Sequence, residues 1–443
     1  MAGGVVCQEA ETGGYKESNQ DSVVDKRTCR RDMENVDTTK KKLLNSWILV
    51  VSIALIVRAA GNIFLPSISY MAKDLNVDEA VATSNLNLYY IILAICYILL
   101  GPVCDRFQKS LLLRLGLVVC IAGCAMAAVA PNIHVLNIGR SIQALAAGLC
   151  MLSSQLWISE HSDKKNMMAQ LAWFSMVAAL APLLAPFLGG FIADWLSWRY
   201  DFWLIALLGI PVYFFTSNLK RMDSQSQNKK KSISIKNVCN NYKNVLLGSP
   251  LEKMSVSVQA LFWGQSCFIT ISSFLFINEF GISATQLGLL NFLFVAGLFA
   301  GRFPVVYLQK KYSIRCAFLV MAALAILTSA AMLAYYFIVG SHDLIEIVVI
   351  YSLQNIAFGG LAILGVRNCI VVGEENKGSA TGFFHFSTQF FSWLGVAFAQ
   401  YLYSLDFSSV MILQYQMAIV LLLSLAGLVF FLHSYSRHKD LIE

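Results

Sequence analysis

The sequence predicts an all-α polytopic membrane protein: twelve transmembrane helices in two six-helix halves, both termini cytoplasmic. Three observations carry this. Of the 443 residues 57% are hydrophobic and only 13% charged, against about 25% charged in ordinary soluble domains. Apolar runs of about 20 residues, the length that crosses a bilayer core as a helix, recur along nearly the whole chain. Lys and Arg alternate from one connection to the next. A soluble protein of this length would need more polar surface to stay dispersed. The net charge of +7 therefore says little about nucleic acid, and no nucleic-acid partner is expected.

The first six spans are read at 47–68, 81–103, 110–130, 133–157, 167–192 and 201–218. The second six are read at 255–279, 285–307, 315–338, 344–371, 379–403 and 411–434. One set of connections holds Lys40, Lys41 and Lys42, then Arg106 and Lys109, then Lys164 and Lys165. It continues with Lys310, Lys311 and Arg315, with Lys377, and with Arg437 and Lys439. The other set holds Lys73 and Arg199 and otherwise neither Lys nor Arg. Basic loops stay cytoplasmic, so the alternation places both ends of the chain inside.

Residues 1–46 are polar and lack the apolar core of a signal peptide, so a disordered cytoplasmic tail is expected there, with a short second tail over 435–443. Residues 219–254, containing "NKKKSISIKN", read as a basic cytoplasmic linker between bundles at 47–218 and 255–434. Its basic residues suit contact with anionic headgroups. Two six-span halves joined by a cytoplasmic loop is the plan of a transporter built from repeats.

The eleven cysteines form no framework. Cys96, Cys120, Cys124, Cys150, Cys267 and Cys369 fall inside spans, where Cys behaves as a small apolar residue. No CxxC pair and no His/Cys spacing suits a metal, and no glycine motif cradles phosphate. No metal, no cofactor, no enzymatic activity and no ATP-driven pumping by this chain alone are expected. A carrier driven by an ion or substrate gradient remains.

The stretch "GPVCDRFQKS" puts Asp105, Arg106 and Lys109 in one turn after span 2. It resembles the signature loop between helices 2 and 3 of the major facilitator superfamily, G-x-x-x-D-R-x-G-R-R/K. Gly101, Asp105, Arg106 and Lys109 match; Gln108 and Ser110 depart. The resemblance implies that Asp105 pairs with the N-terminus of helix 11 across the two halves and holds an inner gate. A carboxylate is stabilised there by the dipole and the unpaired N–H groups, and span 11 opens with small residues, Gly378 to Gly382. "GRSIQALAAG" resembles the family's R-x-x-Q-G pattern through Arg140 and Gln143, with Ala144 in the glycine's place. "APFLGG" resembles the antiporter signature G-P-x-x-G-G through Pro186, Gly189 and Gly190, with Ala185 for the first glycine. "IFLPSISYMAKDLNV" and "SSFLFINEFGISATQLGLLNF" resemble the Bcr/CflA-type drug:proton antiporters, so that the likeness covers 47–434.

One departure concerns coupling. Antiporters of this kind commonly carry an acid in helix 1 just before the Leu-Pro, where this chain has Asn62 in "RAAGNIFLP". Arg58 lies one turn earlier on the same face. No Asp or Glu falls near the middle of any span, whereas Arg58, Arg140, Arg302 and Arg367 do lie within spans. An intramembrane charge normally faces a cavity or a partner. Arg58 therefore either lines a cavity or pairs with backbone carbonyls or polar residues of span 2. His385, Gln389 and Trp393 share one face of span 11, with His385 the most central titratable group. The alternative for this stripe is a polar seam between helices. Gln259 with Trp263, and Asn85 with Tyr89, are further candidates for a cavity that takes an amphipathic organic molecule.

The expectation is a monomeric secondary transporter of a bacterial inner (cytoplasmic) membrane, moving a small-molecule substrate by alternating access, with protons as coupling ion and export of drug-like compounds favoured. Two alternatives stay open: a transporter of an anionic nutrient, metabolite or siderophore, suggested by buried arginines without buried acids, and a non-transporting membrane sensor. Asp105→Asn removes the anion from the helix 11 terminus and is expected to slow transport about two- to fivefold while expression persists. Initial rates in cells, normalised to membrane-inserted protein, test this, and an unchanged rate would reduce Asp105 to loop decoration.

Overall fold

The computed structural model describes residues 45–162, 180–216, 261–372 and 377–437, with scattered positions between 170 and 178 and Leu219. Of the expected tail over 1–46, residues 1–44 lie outside the described residues and 45–46 already belong to a helix; most of the expected linker and Gln259 also lie outside them. Residues Val50–Glu443 form one compact unit; of the other, Met1–Leu49, only the first residues of a helix are described.

Every regular element described is helical. The principal helices are α1 over 45–62, α2 Ser84–Arg106, α3 Lys109–Ala128, α4 Ile133–His161, α5 Leu180–Trp195 and α6 Arg199–Phe215. They continue as α7 Phe262–Ser273, α8 Ala284–Ala300, α9 Ile314–Val339, α10 Leu344–Val372, α11 Lys377–Tyr403 and α12 Ser409–Arg437. Among the described residues eight segments are long and apolar enough to cross a bilayer. α11 is as long as these but more polar, carrying His385, Ser387, Thr388, Gln389, Ser392 and Gln400. A helix of that composition belongs between other helices, not against lipid.

Local chemistry sets the breaks. α1 stops after residue 62, earlier than the sequence indicates, because Pro66 cannot donate to a helical carbonyl. A 3-10 turn Leu65–Ser67 and a short helix Ile68–Asp74 then carry the chain onward. α7 ends in a π-helical segment, Phe274–Glu279. The expected span 8 is divided at Gly301, after which a separate helix Arg302–Lys311 begins. Caps fix other ends: the Asn132 and Ser313 side chains accept from Val135 N and Cys316 N at 3.1 Å each, and Gly340 closes α9 at φ 78°.

Within the first half α4 packs on α2 and α3, and α6 on α3. Within the second, α9 packs on α10 and α12, α8 on α10, and α7 on α11 and α12. The second half has its own apolar core, which includes Leu261, Trp263, Phe318, Met321, Phe358 and Phe431. Two long contacts join the halves, α2 against α11 and α5 against α8.

The α5–α8 contact is made backbone to backbone. A Cβ on Gly189 would sit 1.8 Å from the Ile63 carbonyl oxygen, and one on Gly190 would sit 2.1 Å from that of Ala284. Gly288 of α8 meets the Pro186 oxygen in the same way, at 2.6 Å. The Pro-x-x-Gly-Gly motif thus wedges α5 between the break in α1 and the start of α8. Neither obstacle is a flexible side-chain end, so a methyl there must push helices apart. Gly190→Ala is expected to destabilise the protein by about 1–3 kcal/mol, as overpacking does. Gly427→Ala on α12, with nothing within 4 Å, is expected to be neutral. Thermal unfolding of both variants in one detergent makes the comparison.

Candidate functional site

One end of the bundle is closed by polar contacts that run between the halves. The first four N–H groups of a helix have no partner inside it. At α8, Ser283 and Gln286 form a capping box: Gln286 N donates to Ser283 Oγ at 3.2 Å and Ser283 N to Gln286 Oε1 at 2.9 Å. The remaining two donors reach across to α5. Ala284 N donates to Asp194 Oδ1 at 3.1 Å and Thr285 N to Oδ2 at 2.7 Å. Tyr70, from the short helix after α1, also donates to Asp194, at 2.9 Å. All four donors of α8 are thereby filled, two of them by a carboxylate of the other half.

Neighbouring contacts seal the same end. Ser69 N donates to Ser273 Oγ and that hydroxyl to the Pro66 carbonyl, both at 3.1 Å. Asn278 donates to Glu79 at 3.2 Å, and Glu279 accepts from Ser409 N at 3.1 Å. Arg199 pairs with Asp74, which also accepts from Trp198 Nε1 at 3.1 Å. Asp201, just inside α6, is fully buried. One of its oxygens accepts from Ser67 at 3.0 Å, and the other has no hydrogen-bond partner among the described residues. Neither Asp194 nor Asp201 is among the positions the sequence singles out; their engagement becomes visible when the halves are brought together.

Arg140 is fully buried and ties the first half together. Its Nη1 donates to the Ala60 carbonyl at 2.9 Å and to Gln143 Oε1, and Gln143 in turn donates to Cys124 Sγ at 3.3 Å. The break in α1 leaves the carbonyls of its last turn short of helical donors, which is why Ala60 is available. The guanidinium lies over the rings of Phe64 at 4.0 Å and Tyr89 at 4.5 Å, an attraction that grows when the pair is desolvated. Arg140 and Gln143 therefore act as a pair, joining α1, α2 and α4.

The α2–α11 seam carries a second polar line. Trp393 Nε1 donates to Asn87 Oδ1 at 2.5 Å, and Asn87 Nδ2 to Gln400 Oε1 at 2.7 Å. Further along, His385 stacks on Tyr97 with ring centroids 5.0 Å apart and has Gln155 of α4 at 3.5 Å. Gln389 is half-buried on the same face, its Oε1 without a partner among the described residues. The α11 stripe thus faces the first half, and Arg58 lies within electrostatic reach of His385, Tyr97 and Tyr90.

Other expected positions fall elsewhere. Trp263 does not line an open space: it is 8% exposed, 5.0 Å from Phe398, and its backbone oxygen abuts Gly395. Tyr89 is 7% exposed, held between Arg140 and Gly61. Asn85 is buried with its amide donating to the Ala82 carbonyl. Trp263 and Tyr89 are packed within their own halves, and Asn85 is committed to a carbonyl just before its own helix. The Asn62 amide turns back onto the Arg58 carbonyl at 2.7 Å. In the expected gate motif, Gly101 lies inside α2 and Lys109 pairs with Glu160 at 2.8 Å. The side chains of Asp105 and Arg106 lie outside the described residues, as does that of Arg367. Arg302 is exposed, 4.7 Å from the Phe299 ring.

The profile of the Major Facilitator Superfamily matches residues 50–366, more than half of the sequence. The chain belongs to this superfamily. Among superfamily members it is similar to the chloramphenicol resistance protein CraA of Acinetobacter baumannii, 24% identical over 360 residues, 78% of this chain and 84% of the relative. It also resembles a bicyclomycin resistance protein homolog of Haemophilus influenzae, 24% identical over 51% of this chain and 57% of the relative. Multidrug resistance protein D of Escherichia coli is 22% identical over 39% of this chain and 44% of that one. The drug-resistance group read from the motifs is therefore the group its relatives belong to. Among solved structures, a peptide transporter in complex with sulfate has a TM-score of 0.68 at 13% identity, covering 91% of this chain and 95% of that one. A D-xylose–proton symporter has a TM-score of 0.64 at 13% identity, over 87% and 97%. These establish the major facilitator fold.

Asp194→Ala strips two N–H groups of α8 of their acceptor and is expected to lower stability by about 1 kcal/mol, the usual worth of a helix cap. Asp194→Asn keeps one acceptor and should fall between the variant and the wild type. Thermal unfolding in detergent gives the ranking, and equal midpoints for all three would remove the carboxylate from the closure.

Proposed function

We propose that the protein is a secondary active transporter that exports drug-like, amphipathic compounds by alternating access, coupled to protons. The reading places twelve spans in a bacterial inner membrane with both termini and the basic linker cytoplasmic. The single observation that carries it is the closure between the halves at the Asp194 end. The acceptor for the α8 terminus and its donors belong to different halves, so rocking one half against the other breaks the contact without unfolding either. The positive-inside pattern makes that end the outer one. Its counterpart is the expected Asp105 contact with α11, which would hold the cytoplasmic end in the opposite state.

The similarity to CraA and to other resistance proteins supports export of amphipathic compounds, and the membership in a transporter superfamily weighs against the sensor. Asn62 in place of an acid leaves the coupling proton to another group. His385 meets the first half at the seam, and Asp201 is buried with one free oxygen; either position can hold a proton that the swing of the halves exposes. Reconstitution decides the matter. In proteoliposomes carrying a pH gradient, chloramphenicol or a comparable neutral amphipath is expected to accumulate, and a protonophore to abolish that accumulation. A well-folded preparation that moves no solute under any gradient would leave the sensor reading in its place.

A further inference from the structure

Near the middle of the described spans, arginines stand without acids beside them. Arg58 lies near the middle of the segment Asn45–Asp74 and is only partly buried. Its guanidinium makes no hydrogen bond and no ion pair among the described residues, unlike Arg140. A charge in mid-membrane costs a few kcal/mol unless it faces water, a partner or a ligand. Around Arg58 stand Tyr90, Tyr97 and His385, within electrostatic reach, and beside His385 stands Gln155. Tyr90, Gln155, His385 and Gln389 are all partly exposed although they sit between the halves, as the walls of a recess do.

Among the described side chains, the carboxylates of the helices that build this recess are absent or engaged. α1, α8 and α11 contain neither Asp nor Glu, and α2 has only Asp105 in its last turn. Glu160 of α4 pairs with Lys109 at 2.8 Å. Asp194 of α5 serves the α8 terminus, and Glu279 after α7 serves Ser409 N. Asp201 of α6 is fully buried on Ser67, and Glu346 of α10 pairs with His342. Asn62, one turn from Arg58, has its amide committed to the Arg58 carbonyl.

We propose that this recess binds amphipathic organic anions, an aromatic ring bearing a carboxylate, with Arg58 as the anion-binding group. A guanidinium presents planar paired donors that match a carboxylate bidentately. The low dielectric between the helices strengthens that attraction and equally repels a lipophilic cation. Tyr90, partly exposed at the seam, offers a ring face for the aromatic part. The transport reading gives this site its purpose, but binding is measurable without transport.

Equilibrium binding of 2-naphthoate, its neutral isostere 2-naphthamide and tetraphenylphosphonium to the purified full-length protein is the test. The wild type is expected to bind naphthoate about tenfold or more tightly than naphthamide, the worth of a charge-assisted hydrogen bond, and tetraphenylphosphonium least. Arg58→Ala should bring naphthoate down to the level of naphthamide, and Arg58→Lys should retain part of the difference. Asn62→Asp, which sets a carboxylate beside Arg58, should weaken naphthoate about tenfold and improve the cation. Three results overturn the proposal: no naphthoate binding, equal affinity for naphthoate and naphthamide, or tighter binding of tetraphenylphosphonium by the wild type. If Arg58→Ala does not fold, the wild-type comparison and Asn62→Asp still decide. A protein that binds naphthoate yet moves no solute in liposomes would remove the transport reading and leave the site standing.

Discussion

The contact on which the arrangement of the halves depends is the Asp194 carboxylate at the start of α8. A helix leaves its first four N–H groups without partners of its own, and each one buried bare costs free energy. The second half supplies partners for two of its own four donors, through Ser283 and Gln286. The other two need the first half. The second half is therefore incomplete as a hydrogen-bonded object until α5 arrives. Gly189, Gly190 and Gly288 let α5 come near enough for the carboxylate to reach.

The break in α1 is the other organising feature. It exposes Ala60 O to Arg140 and brings Ile63 against Gly189. It also carries Ser67 to Asp201 and Tyr70 to Asp194. A proline placed for backbone reasons thus creates acceptors and approaches that a continuous helix would hide. The buried Arg140 is tolerable because carbonyl, amide and ring faces surround it, whereas the guanidinium of Arg58, five residues before Ile63, makes no hydrogen bond among the described residues.

Much of this was legible in the sequence where the motif itself carries the physics. Apolar length gives the helices. Arg140 and Gln143 are three residues apart and meet as that spacing implies, and the paired glycines lie at a close helix crossing. What the sequence does not reveal is which neighbour a helix face meets. Asn85 and Asn87 are two residues apart, so they project to different sides of α2. The first donates to the Ala82 carbonyl just before its own helix, and the second receives Trp393 from the other half. Trp263 and Trp393 are similar in sequence terms, yet one is core and one is seam. Asp194 and Asp201 go unmarked in the sequence because their partners are backbone N–H groups and a serine, which no pattern of opposite charges announces.

The Asp194 closure has a consequence for how such a protein tolerates change. Its acceptor is a side chain, but its donors are main-chain amides, present whatever residues stand at 284 and 285. Sequence drift in the first turn of α8 leaves the contact intact, apart from proline, which has no N–H to offer. On the α5 side there is no such freedom, since the carboxylate must be kept and the adjoining glycines must stay small. The two halves of one joint are thus held to unequal standards, and a lineage can retune the mouth of the protein from the α8 side without losing its ability to shut.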